Sequence, residues 1–254
     1  VVYIASGDQL LILNINNPES PTVLSQTALM GTAPVHMVLE GSVLYVPTTT
    51  GGGLNILDVS DPYQPETIAI VPFESHSAGF KISGDYAYLG YVTEFTSNLE
   101  VDYGFDSSSV LDVLDISDPS TPSLVHSLVL PTDVRDIFLY GNYVISVGVY
   151  TDEFLVIDIS SPTAPVLEER PTENFSGASF RWAYQYDDYV YLLDSGSGVW
   201  VVDLSSPLAP TVVNRLQLPM TLGCLYGRGS TLYICAEEKY FHFADVSDPL
   251  EPVL

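Results

Sequence analysis

Apolar residues in this chain come in short runs, and one kind of run returns six times: LLILNI at 10–15, LNILDV at 54–59, VLDVLDI at 110–116, FLVIDI at 154–159, VWVVDL at 199–204 and FHFADV at 241–246. Runs of this length, rich in branched and aromatic residues, suit strands buried on both faces. Each is preceded by a second strand-like segment (VVYIA, VLYVP, YAYLG, YVISV, YVYLL, TLYIC) and followed, after a proline, by a third such as PTVLSQTAL or PSLVHSLVL. A fourth ends in a two-residue turn: Gly41-Ser42, Gly84-Asp85, Gly141-Asn142, Asp187-Asp188 or Gly229-Ser230. Glycine or a short polar residue there supplies the positive φ that tight hairpins need. Four short strands in each period of about 40–45 residues predict an all-β chain, a β-propeller of four-stranded antiparallel blades.

The punctuation between strands repeats as strictly as the strands. Each buried run ends in a motif that starts at Asn14, Asp58, Asp115, Asp158, Asp203 or Asp245, with prolines four and seven residues later. The intervals between these starts are 44, 57, 43, 45 and 42 residues, and the motif holds twelve of the 18 prolines. An Asp closing a strand can accept hydrogen bonds from backbone N–H groups just downstream, while proline fixes φ in the turn. Six copies of one carboxylate therefore point to turn construction rather than to catalysis. Asn14 and Asn16 replace Asp and Ser in the first copy, which predicts a less regular turn there.

We label the strands of each blade a to d from the central channel outward. The chain then reads as one propeller domain, 1–254, with repeats at roughly 1–42, 43–85, 86–142, 143–188, 189–230 and an incomplete 231–254. It opens in strand b and stops as a strand d begins, so strands b and c occur six times and strand a five. The expectation is at least six blades, with ring closure involving residues beyond this segment. The d–a and b–c connections share one face, the a–b and c–d turns the other.

Runs such as Phe154-Leu155-Val156-Ile157-Asp158 and Val199-Trp200-Val201-Val202-Asp203 give the chain its resemblance to the LVIVD-repeat family. The resemblance covers nearly the whole chain. It implies a propeller of bacterial or archaeal surface or secreted proteins, and it brings no catalytic motif to transfer.

Composition narrows the function. Seven Lys and Arg against 32 Asp and Glu leave a net charge of −25. Such a surface repels phosphate backbones and anionic membranes, which argues against nucleic-acid partners. No apolar stretch is long enough for a transmembrane helix, so no membrane insertion is expected in this segment. Scarce lysine and excess acid lean toward an extracellular, cell-surface or periplasmic location. The two cysteines, Cys224 and Cys235, flank the Gly229-Ser230 turn symmetrically. Counting from the turn makes them a hydrogen-bonded pair about 5.5 Å apart at Cα, and both a disulfide and two small buried thiols fit that placement.

Candidate chemistry falls on the d–a and b–c face, since loops on a rigid scaffold carry most binding. Aligning strands a by their turns puts Val35, Ala78, Arg135, Arg181 and Gly223 at one equivalent position. Arg135 and Arg181 would line the channel mouth beside Asp136 and Trp182, with His36 and His76 near the same rim. A pair of guanidinium forks suits a carboxylate or sulfate; pairing with neighbouring acids is the competing use. The third repeat carries an insertion, TEFTSNLEVDYGFDSSS at 93–109. In it, Phe95, Tyr103 and Phe105 suit contact with a protein or glycan partner. Glu100, Asp102 and Asp106 offer oxygen ligands for Ca²⁺, although their spacing matches no EF-hand. No cofactor motif occurs, and no nucleophile elbow, zinc spacing or phosphate loop. The reading is a non-catalytic binding or structural module of the cell exterior. Two alternatives stand beside it: an enzyme acting on an anionic substrate at the channel mouth, and a subunit of a surface layer or filament.

Overall fold

The computed structural model describes all residues except 74, 76–77, 97–105, 133, 135, 148–153, 169–177, 179, 195–197, 219–221 and 237–239. The described residues hold no helix, and therefore none long and apolar enough to cross a membrane. They form 23 strands in six antiparallel sheets.

Two compact units divide the chain, residues 1–106 with 110–127, and residues 107–109 with 128–254. In the first, sheet one is β1 (Val2–Ser6), β2 (Gln9–Asn14) and β3 (Thr22–Ala28). Sheet two holds β4 (Thr32–Pro34) and β5 (Val38–Glu40), both paired with β6 (Val43–Thr50), then β7 (Gly53–Asp58) and β8 (Glu66–Pro72). Sheet three is β9 (Ala78–Ser83), β10 (Tyr86–Thr96), β11 (Asp106–Asp115) and β12 (Ser123–Leu130), whose last residues fall in the second unit.

The second unit holds three more sheets. Sheet four is β13 (Asp136–Tyr140), β14 (Tyr143–Val147), β15 (Phe154–Asp158) and β16 (Val166–Leu167). Sheet five is β17 (Phe180–Tyr186), β18 (Tyr189–Asp194), β19 (Gly198–Asp203) and β20 (Thr211–Leu216). Sheet six is β21 (Leu222–Arg228), β22 (Thr231–Ala236) and β23 (Tyr240–Asp245), extended only by the isolated bridge from Asp245 to Val253. Strand order along the chain is the order within each sheet, and the b-first offset read from the sequence holds.

Because side chains alternate across a strand, each c strand offers one residue set to each neighbouring sheet. Leu10 and Ile12 pack with Leu44, Val46, Leu57 and Val59; Tyr45, Leu54 and Ile56 pack with Phe80, Ala87 and Leu89. In the second unit Val156 and Phe154 meet Phe180, Val190, Leu192 and Val202, while Val199 and Val201 meet Leu232, Ile234 and Ala244. All of these are nearly or fully buried, which explains why the central runs read as continuously apolar.

The turns match one another atom for atom. Asp58, Asp115, Asp158, Asp203 and Asp245 each accept the backbone N–H two residues on at 2.7–2.9 Å. The first copy is equally regular: Asn14 Oδ1 accepts from Asn16 N at 2.9 Å, correcting the expectation of a looser turn. An amide oxygen serves this turn as well as a carboxylate does. In the five sheets that have both elements, the residue after the c strand donates to the a–b turn (Val59 N to Ser42 O, Ile116 N to Asp85 O, Ile159 N to Asn142 O, Leu204 N to Asp188 O, Val246 N to Ser230 O). That bond ties two connections at the same end of a sheet. A recurring bulge leaves Leu24, Ile68 and Val213 unpaired in the third or outermost d strand, and each packs its apolar side chain onto a core cluster.

Cys224 and Cys235 face each other across β21 and β22 and are joined by a disulfide, with Cα atoms 4.9 Å apart. Of the two states the sequence left open, the oxidised one is found. Both residues are half-buried.

Candidate functional site

The two ends of each sheet are built differently. At one end every a–b turn has two residues: 41–42, 84–85, 141–142, 187–188 and 229–230. Every connection from a c strand to the following d strand has seven: 15–21, 59–65, 116–122, 159–165 and 204–210. At the other end the b–c connections are 7–8, 51–52, 97–105, 148–153, 195–197 and 237–239, two to nine residues. The d–a connections run from three residues (29–31) to twelve (168–179). Constant turns are scaffold; the variable end is where one sheet can differ from the next.

The long b–c connection is shorter than the sequence predicts. Strand β10 continues through Thr96 and β11 begins at Asp106, so the 93–109 insertion resolves into a lengthened hairpin and a nine-residue connection, 97–105. Residues 93–96 and 106–109 belong to β10 and β11, neighbouring strands of sheet three, although 106–109 is polar throughout and so carries no apolar alternation to mark it as strand. Phe95 lies in β10 and Asp106 opens β11, their side chains outside the described set. Glu100, Asp102, Tyr103 and Phe105 lie outside the described residues. Among the described residues no group of three or more His, Cys, Asp or Glu could hold a metal ion.

The strand a alignment has a physical counterpart. The a–b register shifts between Phe180 and Trp182 and again between Leu222 and Cys224, so Arg181 and Gly223 are the extra residues of equivalent bulges. In the second sheet strand a breaks at the same level, β4 ending at Pro34 and β5 starting at Val38. His36 lies in that break, half-buried at φ 36°, a left-handed conformation that few non-glycine residues adopt. Arg135 and His76 fall outside the described residues, and Arg181 is described by its backbone alone.

Asp136 and Trp182, predicted beside the arginines, are both engaged between sheets. Asp136 is 2% exposed; its Oδ1 accepts from Ile137 N at 2.8 Å and its Oδ2 from Ala183 N of β17 at 3.3 Å. Trp182 Nε1 donates to the carbonyl of the bulge residue Gly223 at 3.0 Å. Each joins one strand a to the next.

Two polar groupings were not singled out in the sequence. Asp194 closes β18 almost fully buried and accepts Trp200 Nε1 at 3.3 Å and an Arg215 guanidinium nitrogen at 3.5 Å, while that guanidinium lies 4.4 Å over the Trp200 ring. These residues come from three strands, and no linear spacing announces them. Tyr91 in β10 donates to Asp112 Oδ2 in β11 at 2.9 Å. Burial, then the Asp112 charge, pushes the Tyr91 hydroxyl above its ordinary pKa. The turn carboxylates behave oppositely. Backbone hydrogen bonds from Ser60, Ser117 and Ser247 hold Asp58, Asp115 and Asp245 below the usual range, and the Ser120 hydroxyl does most to lower Asp118. Carboxylates held anionic by turn donors are poor proton donors.

Six antiparallel sheets built on one strand order, with uniform turns at one end and unequal connections at the other, are six blades of a β-propeller. The chain belongs to the LVIVD repeat family, whose model matches residues 2–27, 37–71, 105–129, 131–172 and 185–217. The sixth sheet lies outside those matches yet keeps the same turn at Asp245. No curated protein matches the chain.

Among solved structures, a protein from Bacteroides uniformis ATCC 8492 and one from Bacteroides fragilis NCTC 9343, both only provisionally named 6-phosphogluconolactonases, are similar. The first has a TM-score of 0.74 at 11% identity, over 99% of this chain and 79% of its own. The second has 0.72 at 12%, over 95% and 74%. The computationally designed Ika8 protein matches with a TM-score of 0.61 at 11%, over 100% of this chain and 82% of its own. At such identities the likeness establishes the fold alone.

Proposed function

We propose that this chain is a non-catalytic module of the cell exterior that binds a protein or glycan through the b–c and d–a ends of its blades. The observation that carries the reading is the contrast between the two sheet ends. Turns of two and seven residues never vary, whereas the opposite connections range from two to nine and from three to twelve. A rigid frame with one variable edge is how repeat folds present recognition surfaces. The disulfide between Cys224 and Cys235 agrees with an oxidising location. A net charge of −25 agrees with a partner that is neither nucleic acid nor anionic membrane.

The test is to replace residues 97–105 by Asn-Gly and apply both proteins to a glycan array and to immobilised surface proteins of the host. The reading expects a ligand of the parent chain to be lost by the variant at unchanged melting temperature. Equal profiles for the two proteins count against it.

A second reading is favoured by the strand a bulges, devices that elsewhere re-aim side chains at binding sites. Arg181, as a bulge residue, with Arg135 one blade earlier, would hold an anion. Together with the provisional names of the two Bacteroides structures, this makes hydrolysis of a phosphorylated sugar lactone worth assaying. Turnover lost in Arg181→Gln would favour this reading over the first.

A further inference from the structure

In the c strands, the positions four, two and one residues before the motif Asp or Asn are apolar in all six sheets. The position three before it varies in character, holding Leu11, Asn55, Asp112, Leu155, Trp200 and His242. Its counterpart on the b strand, five residues after that strand begins, is Thr48 in sheet two, Tyr91 in sheet three and Asp194 in sheet five. In each of these sheets the two side chains are hydrogen-bonded. Asn55 Nδ2 donates to Thr48 Oγ1 at 3.3 Å, the Tyr91 hydroxyl to Asp112 at 2.9 Å and Trp200 Nε1 to Asp194 at 3.3 Å. One pair of repeat positions thus carries polar contacts in strands that are otherwise core.

Sheet two shows what the pair holds. Asn55 is 1% exposed and Thr48 is fully buried, and buried polar groups need partners. They find them on the backbone of Met30, in the d–a connection 29–31 that arrives from sheet one. Asn55 Oδ1 accepts from Met30 N at 2.8 Å, while Met30 O accepts from Thr48 Oγ1 at 2.6 Å and from Asn55 Nδ2 at 3.1 Å. The residues on either side are fixed as well. Leu29 N donates to Asp8 O at 2.8 Å, and Gly31, at φ 83°, lies so near Gly52 that a β-carbon on it would strike that backbone. Asp8 and Gly52 belong to the b–c connections 7–8 and 51–52, so the d–a connection ties together the variable ends of two neighbouring sheets. The Met30 backbone is bonded on both sides while its side chain is 45% exposed. In sheet three the pair again meets the arriving connection, 73–77: the Tyr91 ring packs on Phe73 with centroids 5.1 Å apart. In sheet five it engages Arg215 of its own d strand instead.

Resting on the proposal above that this end of the blades binds, we infer that Asn55 and Thr48 are positioning residues of the recognition end. They pin connection 29–31 and so set the surface that sheets one and two present there. Leu11 and Leu155, at the position of Asn55 in sheets one and four, offer neither donor nor acceptor. The polar residue is what turns a core position into a clamp. A connection ordered before the ligand arrives loses less conformational freedom on binding, which is the advantage of holding it from beneath.

Amide hydrogen exchange of the full chain, followed residue by residue, tests this without a ligand, so its outcome stands apart from whether the binding reading holds. Asn55→Leu installs the residue that sheets one and four use, and Thr48→Val keeps the branched shape while removing the hydroxyl. In each variant the Met30 amide should exchange at least about 10-fold faster, while the Ile56 and Leu57 amides of the same sheet change by less than about threefold. General destabilisation would speed all three alike. Exchange at Met30 that is unchanged in either variant, or that rises only in step with Ile56 and Leu57, overturns the inference. Should Asn55→Leu fail to fold, Thr48→Val decides alone.

Discussion

The ring of Tyr184 lies where a β-carbon on Gly227 would have to be, and its hydroxyl donates to the Gly229 carbonyl at 3.0 Å. One tyrosine of sheet five thus covers the bare backbone of sheet six and holds its hairpin turn. Gly227→Ala should cost about 2–3 kcal/mol through overpacking. In a Tyr184→Ala background the same substitution should cost less than about 1 kcal/mol. Urea midpoints of the four proteins decide this, and equal costs in both backgrounds would refute the contact.

Of the five a–b turns, four place glycine at the left-handed first position with φ between 55° and 59°, and the fifth places Asp187 there at φ 51°. An L side chain is strained in that region. Asp187→Gly should therefore stabilise the protein by about 0.5–1 kcal/mol, read as a higher urea midpoint at unchanged slope.

Cys224 and Cys235 close a hairpin of sequence separation 11. Restricting the unfolded chain over a loop of that size stabilises by about 2–3 kcal/mol. Reduction with dithiothreitol, or the Cys224→Ser/Cys235→Ser double variant, should lower the melting temperature. The two treatments should agree, and adding the reductant to the variant should change nothing further.

Asp58 has its pKa lowered from 3.8 by the Ser60 turn bonds. A depressed folded pKa means the folded state favours the charged form. Its contribution is present above the unfolded value of 3.8 and is lost as pH falls through the lower folded value. Asp58→Asn keeps the acceptor and removes the charge. The stability gap between wild type and this variant should favour wild type at pH 6 and narrow progressively as pH falls below 3.8. A gap that is constant over that range would contradict the assignment. The comparison cancels the general relief of repulsion that acid brings to so acidic a chain.

Much of the architecture was legible because its causes are local. The proline and Asp positions are the turns, and the six apolar runs are the strands buried on both faces. The strand offset followed from counting them. Asn14 was misjudged because residue type was read without its acceptor geometry, which Asn and Asp share. The candidate site was legible only as a region. Arg181 and Gly223 were aligned correctly from their turns, and the structure explains the alignment by matching bulges. The roles of Asp136 and Trp182 between sheets were hidden, because their partners, Ala183 and Gly223, lie 47 and 41 residues away. The Asp194, Arg215 and Trp200 grouping was hidden for the same reason: it assembles only when β18, β19 and β20 pair.

The central claim is that recognition lies at the variable end of the blades and not at the constant one. Binding affinity for the first ligand identified should be measured for two variants side by side. One replaces the 97–105 connection with Asn-Gly; the other, Asp158→Asn, sits in a constant turn. The account predicts that affinity falls at least about 30-fold in the first and stays within twofold of wild type in the second. Affinity retained without 97–105 but lost on changing Asp158 would place recognition at the other end and contradict it.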